Sequence, residues 1–432
     1  MAQAGGAAAA AVPAEPAAPP ARHGAGVSQR VQSTQPPCVV ATKKLMAQKG
    51  AEGTLSLAQG IVHWQPPAAA LQRAAELVAS GDPALSQYGP DEGLPELRQA
   101  LREKLERENG LTGYDVMVTT GANQAFSNVV LALLDPSDRV ALYKPFYFNH
   151  LMAISMTGGG DNVAFGPRQP SGHPDLDWLA AELAGPNPPR LVVLTNPCNP
   201  TGTLMKPEEV ERAAALCAEA GAWLVLDNTY EHFVFGEGRH HCAAGPHVIH
   251  IFSFSKAYGM MGWRQGYIAF PEDGTGSLAA QLLKVQDTIP VCPTQISQHV
   301  ALEAVRQGRQ WVTDQVKGLV SNREALVDAL SPLGAENVVG GEGAIYLFAK
   351  LPEGCEDDNA VVQWLVMKHK VCIIPGSSCG LPGHVRAAFA NLKPDLCAEA
   401  AARLKAGLTE LVRDGMPAVR NYLDEQGAAP WP

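Results

Sequence analysis

Leu97, Leu101 and Leu105 form one apolar stripe within residues 95–108, with charges on the other faces, and predict a helix there. Short apolar runs follow at 116–119, 139–143, 191–194, 222–226, 248–252 and 265–270, each of strand length. The run 222–226 is apolar throughout, as in a strand covered on both faces of a parallel sheet. Between the runs lie helical stretches. One opens at Gly121, and another spans 207–220 and stops at Gly221. This alternation predicts an α/β layer with a mostly parallel sheet.

After residue 294 the pattern changes. A helical stretch at 295–330, broken by Gly308, leads to Gly-rich turns at 340–343. Strands at 344–351, 371–375 and 384–390, a helix near 358–369 and a last helix at 394–414 make a smaller α+β unit. Residues 41–84 precede the first strand of the large unit and are assigned to the small one. The expected division is a large domain at 85–294 and a discontinuous small domain at 41–84 and 295–432.

Residues 1–40 are expected to form a disordered extension. Up to residue 37 the chain is mostly Ala, Pro and Gly, and Pro13, Pro16, Pro19 and Pro20 break any helix. An organelle transit peptide is the competing reading of 1–37, since Glu15 is its only acid and Arg22 and Arg30 are present. Without it a cytoplasmic protein is expected. Over 432 residues the formal net charge is -10, with 46% hydrophobic and 18% charged residues. That excludes a mostly disordered chain and offers no basic face for nucleic acid. No apolar run approaches the ~20 residues of a membrane span. Nine cysteines without CxxC spacing argue against a disulfide framework or zinc ribbon. His240-His241-Cys242 lacks further ligands at usable spacing, so no metal is expected.

The chemistry concentrates in Ser253-Phe254-Ser255-Lys256-Ala257-Tyr258-Gly259-Met260-Met261-Gly262-Trp263-Arg264-Gln265-Gly266. Lys256 follows an apolar strand and sits among small hydroxyls, with Arg264 eight residues on. A buried amine near another cation has a depressed pKa and attacks carbonyls. Ser253, Ser255 and Arg264 suit a phosphate. The pair of features suggests a Schiff-base lysine beside a phosphate cradle, as pyridoxal 5'-phosphate requires.

This segment resembles the class I/II aminotransferases, which are fold-type I pyridoxal phosphate enzymes. The resemblance extends from about Ser56 to about Leu411, and four other segments carry it: Asn196-Pro197-Cys198-Asn199-Pro200-Thr201-Gly202, Asp227-Asn228-Thr229-Tyr230-Glu231, Thr119-Thr120-Gly121-Ala122-Asn123-Gln124-Ala125 and Lys144-Pro145-Phe146-Tyr147-Phe148. It implies a large domain with a mostly parallel, seven-stranded sheet between helices, and a smaller α+β domain. It implies catalytic roles for Lys256, the lysine of an internal aldimine, for Asp227 at the pyridine nitrogen and for Tyr230 at the phenolic oxygen. Asn199 would share the phenolic oxygen, Gly121, Ala122 and Asn123 would give phosphate contacts, and Tyr147 would stack on the ring. Tyr88, within Gln87-Tyr88-Gly89-Pro90, would reach the phosphate of a second subunit, which implies a homodimer with shared sites. Arg386 would grip the substrate α-carboxylate, with Gly60 adding a backbone N–H and Asn199 beside it.

The expected reaction is ping-pong transamination between an amino acid and a 2-oxo acid. Relatives specific for aspartate carry a second Arg in a loop corresponding to residues 285–293, which contain none here. A neutral or aromatic side chain (Phe, Tyr, Trp or Met) is therefore expected, with Trp64 and Ile289 as wall residues. Residues 56–67 and 252–263 are most similar to the plant and green-algal aromatic aminotransferases. The alternative is a C–S β-lyase or an aminocyclopropane-carboxylate synthase-like lyase on the same fold.

Overall fold

The computed structural model describes residues 26–157 and 159–431. Seven strands form the large sheet: β1 (Tyr114–Thr119), β2 (Val140–Tyr143), β3 (Val163–Gly166), β4 (Leu191–Thr195), β5 (Trp223–Asp227), β6 (Val248–Ser253) and β7 (Gly266–Pro271). Their order is β1-β7-β6-β5-β4-β2-β3, and β7 alone runs against its neighbours. The buried centre of β5, Leu224, Val225 and Leu226, has no exposed surface. Each such side chain contributes about 1.5–3 kcal/mol relative to exposure. The runs expected as strands all fall within this sheet. The edge strand β3 was not expected, because four residues with one face exposed carry too short a pattern.

A second sheet has four strands, β8 (Val338–Gly340), β9 (Tyr346–Lys350), β10 (Ile374–Pro375) and β11 (His384–Ala388), all antiparallel in the order β10-β11-β9-β8. The single strand expected at 371–375 is in fact two. Val371–Cys372 pairs parallel with Leu55–Ser56, Ile374–Pro375 joins β11, and Ile373 crosses between them. The last helix also continues beyond 414, to Glu425. Gly415 turns the backbone left-handed (φ 65°), Pro417 restarts the helix, and Met416, Val419 and Leu423 bury the new segment.

Part of the segment expected to be a disordered extension is helical. Gln29–Gln32 form one exposed turn, and α1 (Cys38–Met46) follows Pro37. Cys38, Thr42 and Leu45 recur at helical spacing and are buried, which docks α1 onto the core. Residues 1–25, on which most of the transit-peptide reading rests, lie outside the described residues. All nine cysteines are free, and eight are buried, with Cys292 half-buried. Among the described residues no helix is long and apolar enough to cross a membrane.

Candidate active site

β1, β2, β4, β5 and β6 end at the same edge of the sheet, and the antiparallel β7 begins there. That edge is where open α/β sheets bind ligands. The topology delivers one chemical group per strand. β1 leads through Gly121 into α2 (Ala122–Leu133), β2 leads to Tyr147, β4 to Asn199, β5 ends on Asp227, and β6 leads to Lys256. Because β7 is antiparallel, Arg264 reaches the same edge from just before its strand. A cavity of about 250 Å³ opens here. Gly60, Ala122, Asn123, Tyr147, Asn199, Asp227, Tyr230, Ser253, Ser255, Lys256, Arg264 and Arg386 all line it.

Local structure explains the placements. Gly121 caps α2 with φ 83°, and a Cβ there would collide with the guanidinium of Arg264. The first-turn amides of α2 lack intrahelical acceptors and suit an anion. Arg264 itself adopts a left-handed backbone (φ 51°), and its Nη1 donates to the Met261 carbonyl at 2.8 Å. Burial, then the neighbouring cations Arg264 and Arg386, lower the Lys256 pKa to about 8, while Asp227 opposes the shift.

Asp227 is 5% exposed. Burial alone would raise its pKa, but His150 Nε2 at 3.0 Å and the Thr229 amide at 3.0 Å outweigh it and hold the carboxyl below its usual range. Tyr230 and Tyr346 share a hydrogen bond of 2.5 Å between their hydroxyls. Arg386 donates to Asn199 Oδ1 at 3.0 Å and to the Ala58 carbonyl at 2.7 Å, and lies 4.4 Å over the Tyr346 ring. Its buried Nε has no partner among the described residues. Tyr147 accepts from Asn149 at 2.8 Å and lies edge-on to His150.

Gly60 admits no side chain, since a Cβ would overlap the Tyr346 hydroxyl. Tyr88 does not reach the cavity. It is 82% exposed and lines a separate hollow with Pro290, Cys292 and Pro293. Trp64 is buried against Phe233, and Ile289 is 53% exposed, so neither expected wall residue lines the cavity within this chain.

Several lining residues were not anticipated. His150 stands one helical turn after Tyr147 on α3 (Phe148–Thr157), a spacing that gave a signal. Tyr346 comes from β9 in the second sheet, which no local pattern announces. Val39 and Lys43 come from α1, inside or next to the segment expected to be disordered. The lining carries Lys43, Lys256, Arg264 and Arg386 against the single carboxylate of Asp227. An excess of cations, helix-terminal amides and an ionised buried carboxylate fit a phosphorylated ligand with a basic ring nitrogen.

Residues 52–404 match the family model described as aminotransferase class I and II. The aromatic aminotransferase ISS1 of Arabidopsis thaliana is 50% identical over 392 residues, covering 90% of this chain and 98% of that protein. The aspartate/prephenate aminotransferase of Thermus thermophilus is 30% identical, covering 86% and 96%. Among solved structures, a single mutant of Thermus thermophilus aspartate aminotransferase superposes with a TM-score of 0.79 at 28% identity, covering 88% of this chain and 99% of that one. The aromatic aminotransferase from Pyrococcus horikoshii gives 0.75 at 27%, covering 86% and 99%. The lyase alternative gains no support from these relatives.

Proposed function

This chain belongs to the class I and II aminotransferases and is a pyridoxal 5'-phosphate-dependent enzyme acting on amino acids and 2-oxo acids; from that premise we propose that its donors are aromatic or neutral amino acids, methionine included, and that it works as a homodimer. The observation that carries the site reading is convergence: a cation-poised amine, an ionised buried carboxylate and a carboxylate-binding fork line one cavity. Val39, Ile61 and Phe148 give that cavity an apolar wall, and residues 285–293 offer no Arg for a second carboxylate. The name of the Arabidopsis relative points the same way.

When bound, pyridoxal phosphate supplies a carbonyl for the amine and a ring that withdraws electrons from the substrate α-carbon. The residues then divide the work. Arg264, Ser253, Ser255 and the amides at Gly121, Ala122 and Asn123 would hold the phosphate. Asp227, kept ionised by His150, would hold a proton on the ring nitrogen. Asn199 and Tyr230 would donate to the phenolic oxygen, and Tyr147 would lie against the ring. Arg386, with Gly60, orients the α-carboxylate. Lys256 would supply the amine that the cofactor's carbonyl calls for and, as a free amine, the base for the substrate α-proton. With a pKa of about 8, roughly 10–20% of it is neutral near physiological pH, against about 0.1% for an ordinary lysine.

Tyr88 completes the phosphate site of a second copy in this reading, which is supported by its exposure. Sedimentation should give a dimer, and Tyr88→Phe should weaken cofactor binding. The two-domain division at 85–294 and 41–84 with 295–432 is part of the same proposal. It is supported by the two separate sheets and by helix Ala68–Ser80 packing on Gln295–Arg306. The deciding test gives the holoenzyme a panel of amino acids and follows the cofactor's visible absorbance. Aromatic amino acids and methionine should convert it, and an aromatic oxo acid should restore it. Conversion by aspartate alone would overturn the substrate reading.

A further inference from the structure

The turn after β5 carries two groups of the site, and it is tied down residue by residue. Asp227 is held by His150, while Asn228 meets His240 and His250 at 3.0 Å each. Tyr230 meets Tyr346. The next residue, Glu231, points away from the cavity into a buried clasp. Lys104 Nζ donates to its Oε1 at 2.7 Å, and Asn109 Nδ2 donates to its Oε2 at 2.7 Å. Lys104 Nζ also donates to Asn109 Oδ1 at 3.0 Å, which closes a triangle around one carboxylate. Lys104 is 3% exposed and Glu231 8%. His232 Nε2 stands 3.4 Å from Glu231 Oε1, and Cys242 Sγ accepts from Asn109 at 3.7 Å.

The helix geometry is what makes the clasp. Lys104 ends the helix Pro95–Lys104, and Leu105–Asn109 continue it as one π-helical turn. Five residues span roughly 1.4 turns of an α-helix, which would aim residues 104 and 109 apart. A π-turn closes on i→i+5 and sets them on one face. The same lysine lies over the ring of Phe252, 4.9 Å away, in the strand that leads to Lys256. Buried ion pairs are commonly no more stabilising than an apolar pair of equal size. What this clasp offers instead is a fixed position for Glu231, one residue from Tyr230.

We propose that Lys104 and Asn109 are positioning residues for the reaction: by clasping Glu231 they set where the Tyr230 hydroxyl stands relative to the cofactor's phenolic oxygen. The inference rests on the reading of Tyr230 as a donor to that oxygen. A donor lost or misplaced there raises the pH at which the holoenzyme's visible absorbance titrates.

The test titrates that absorbance in holoenzyme variants. Tyr230→Phe gives the reference shift. The neutral pair Lys104→Met with Glu231→Gln should move the midpoint in the same direction by about half to one unit, the size of one ordinary hydrogen bond. It should lower kcat/KM about tenfold, as expected for a displaced catalytic group. Lys104→Arg should restore both. Asn109→Ala keeps the ion pair, and so serves if the double variant does not fold; it should shift the midpoint less, with the same sign. A lowered melting temperature with an unmoved midpoint in the clasp variants, while Tyr230→Phe does shift it, would overturn the positioning role and leave the site reading standing. An unmoved midpoint in Tyr230→Phe itself would overturn both.

Discussion

Replacing His150 by Leu isolates the device that keeps Asp227 charged. The side chain is 4% exposed, so Leu enters an apolar setting beside Phe126. It removes the hydrogen bond to Asp227 Oδ2 and leaves the Thr229 amide as partner. A hydrogen bond to a charged group is worth about 1.5–3 kcal/mol, which is roughly one to two pKa units. Burial, the largest influence on this carboxyl, then prevails and its pKa rises by that amount. The reaction uses the ionised form, so the acid limb of kcat against pH should move up by one to two units. Rates should converge to within a few-fold above pH 8. Stability follows the same sign. A carboxyl with a depressed folded pKa stabilises the fold above its unfolded value of about 3.9 and loses that contribution as pH falls through the folded pKa. The variant should therefore melt lower than the parent at pH 7, with the gap closing as pH approaches 3. Initial rates from about pH 4 to 9, with thermal melts at pH 7 and near pH 3, measure this. A profile that loses rate equally at every pH, with no displaced limb, would refute the account.

Lys256→Ala should abolish the visible band that arises when the amine joins the cofactor, and survival of that band would sink the assignment. In the cofactor-free protein, the rate of recombination with pyridoxal phosphate should climb through pH 8 and level off above it, because the amine is neutral only above its pKa of about 8. Arg386→Lys keeps the charge but loses the fork, so KM for the amino acid should rise roughly 10- to 150-fold, the equivalent of 1.5–3 kcal/mol. Gly60→Ala should push the Tyr346 hydroxyl off Tyr230, cut activity at least tenfold and lower the melting temperature, since overpacking a buried site costs about 1–3 kcal/mol.

Most of the large sheet was legible because its strands are short, largely apolar and bounded by turn residues. β5 with its flanking Gly221 and Asp227 is the clearest case. Lys256, Asp227 and Asn199, which line one cavity, were legible because each stands at the end of its strand or a few residues beyond it. What was hidden depends on tertiary meetings. Tyr346 lies on another sheet, and the clasp of Lys104 on Glu231 joins positions 127 residues apart. The segment before residue 41 misled because its composition outweighed a short helical stripe. Cys38, Thr42 and Leu45 read as a pattern only once α1 has a core to face. Trp64 misled in the opposite way, since an aromatic next to a site motif went to the core against Phe233.

The distribution of thiols gives this protein a reporter site without engineering. Eight cysteines are buried, and Cys292 stands half-buried in the same hollow as Tyr88. A maleimide dye added to the folded protein would therefore attach at one place, well separated in sequence from Lys256. In the dimer proposed above that hollow faces the second copy, so labelling should be fast in separated chains and slow once two copies join.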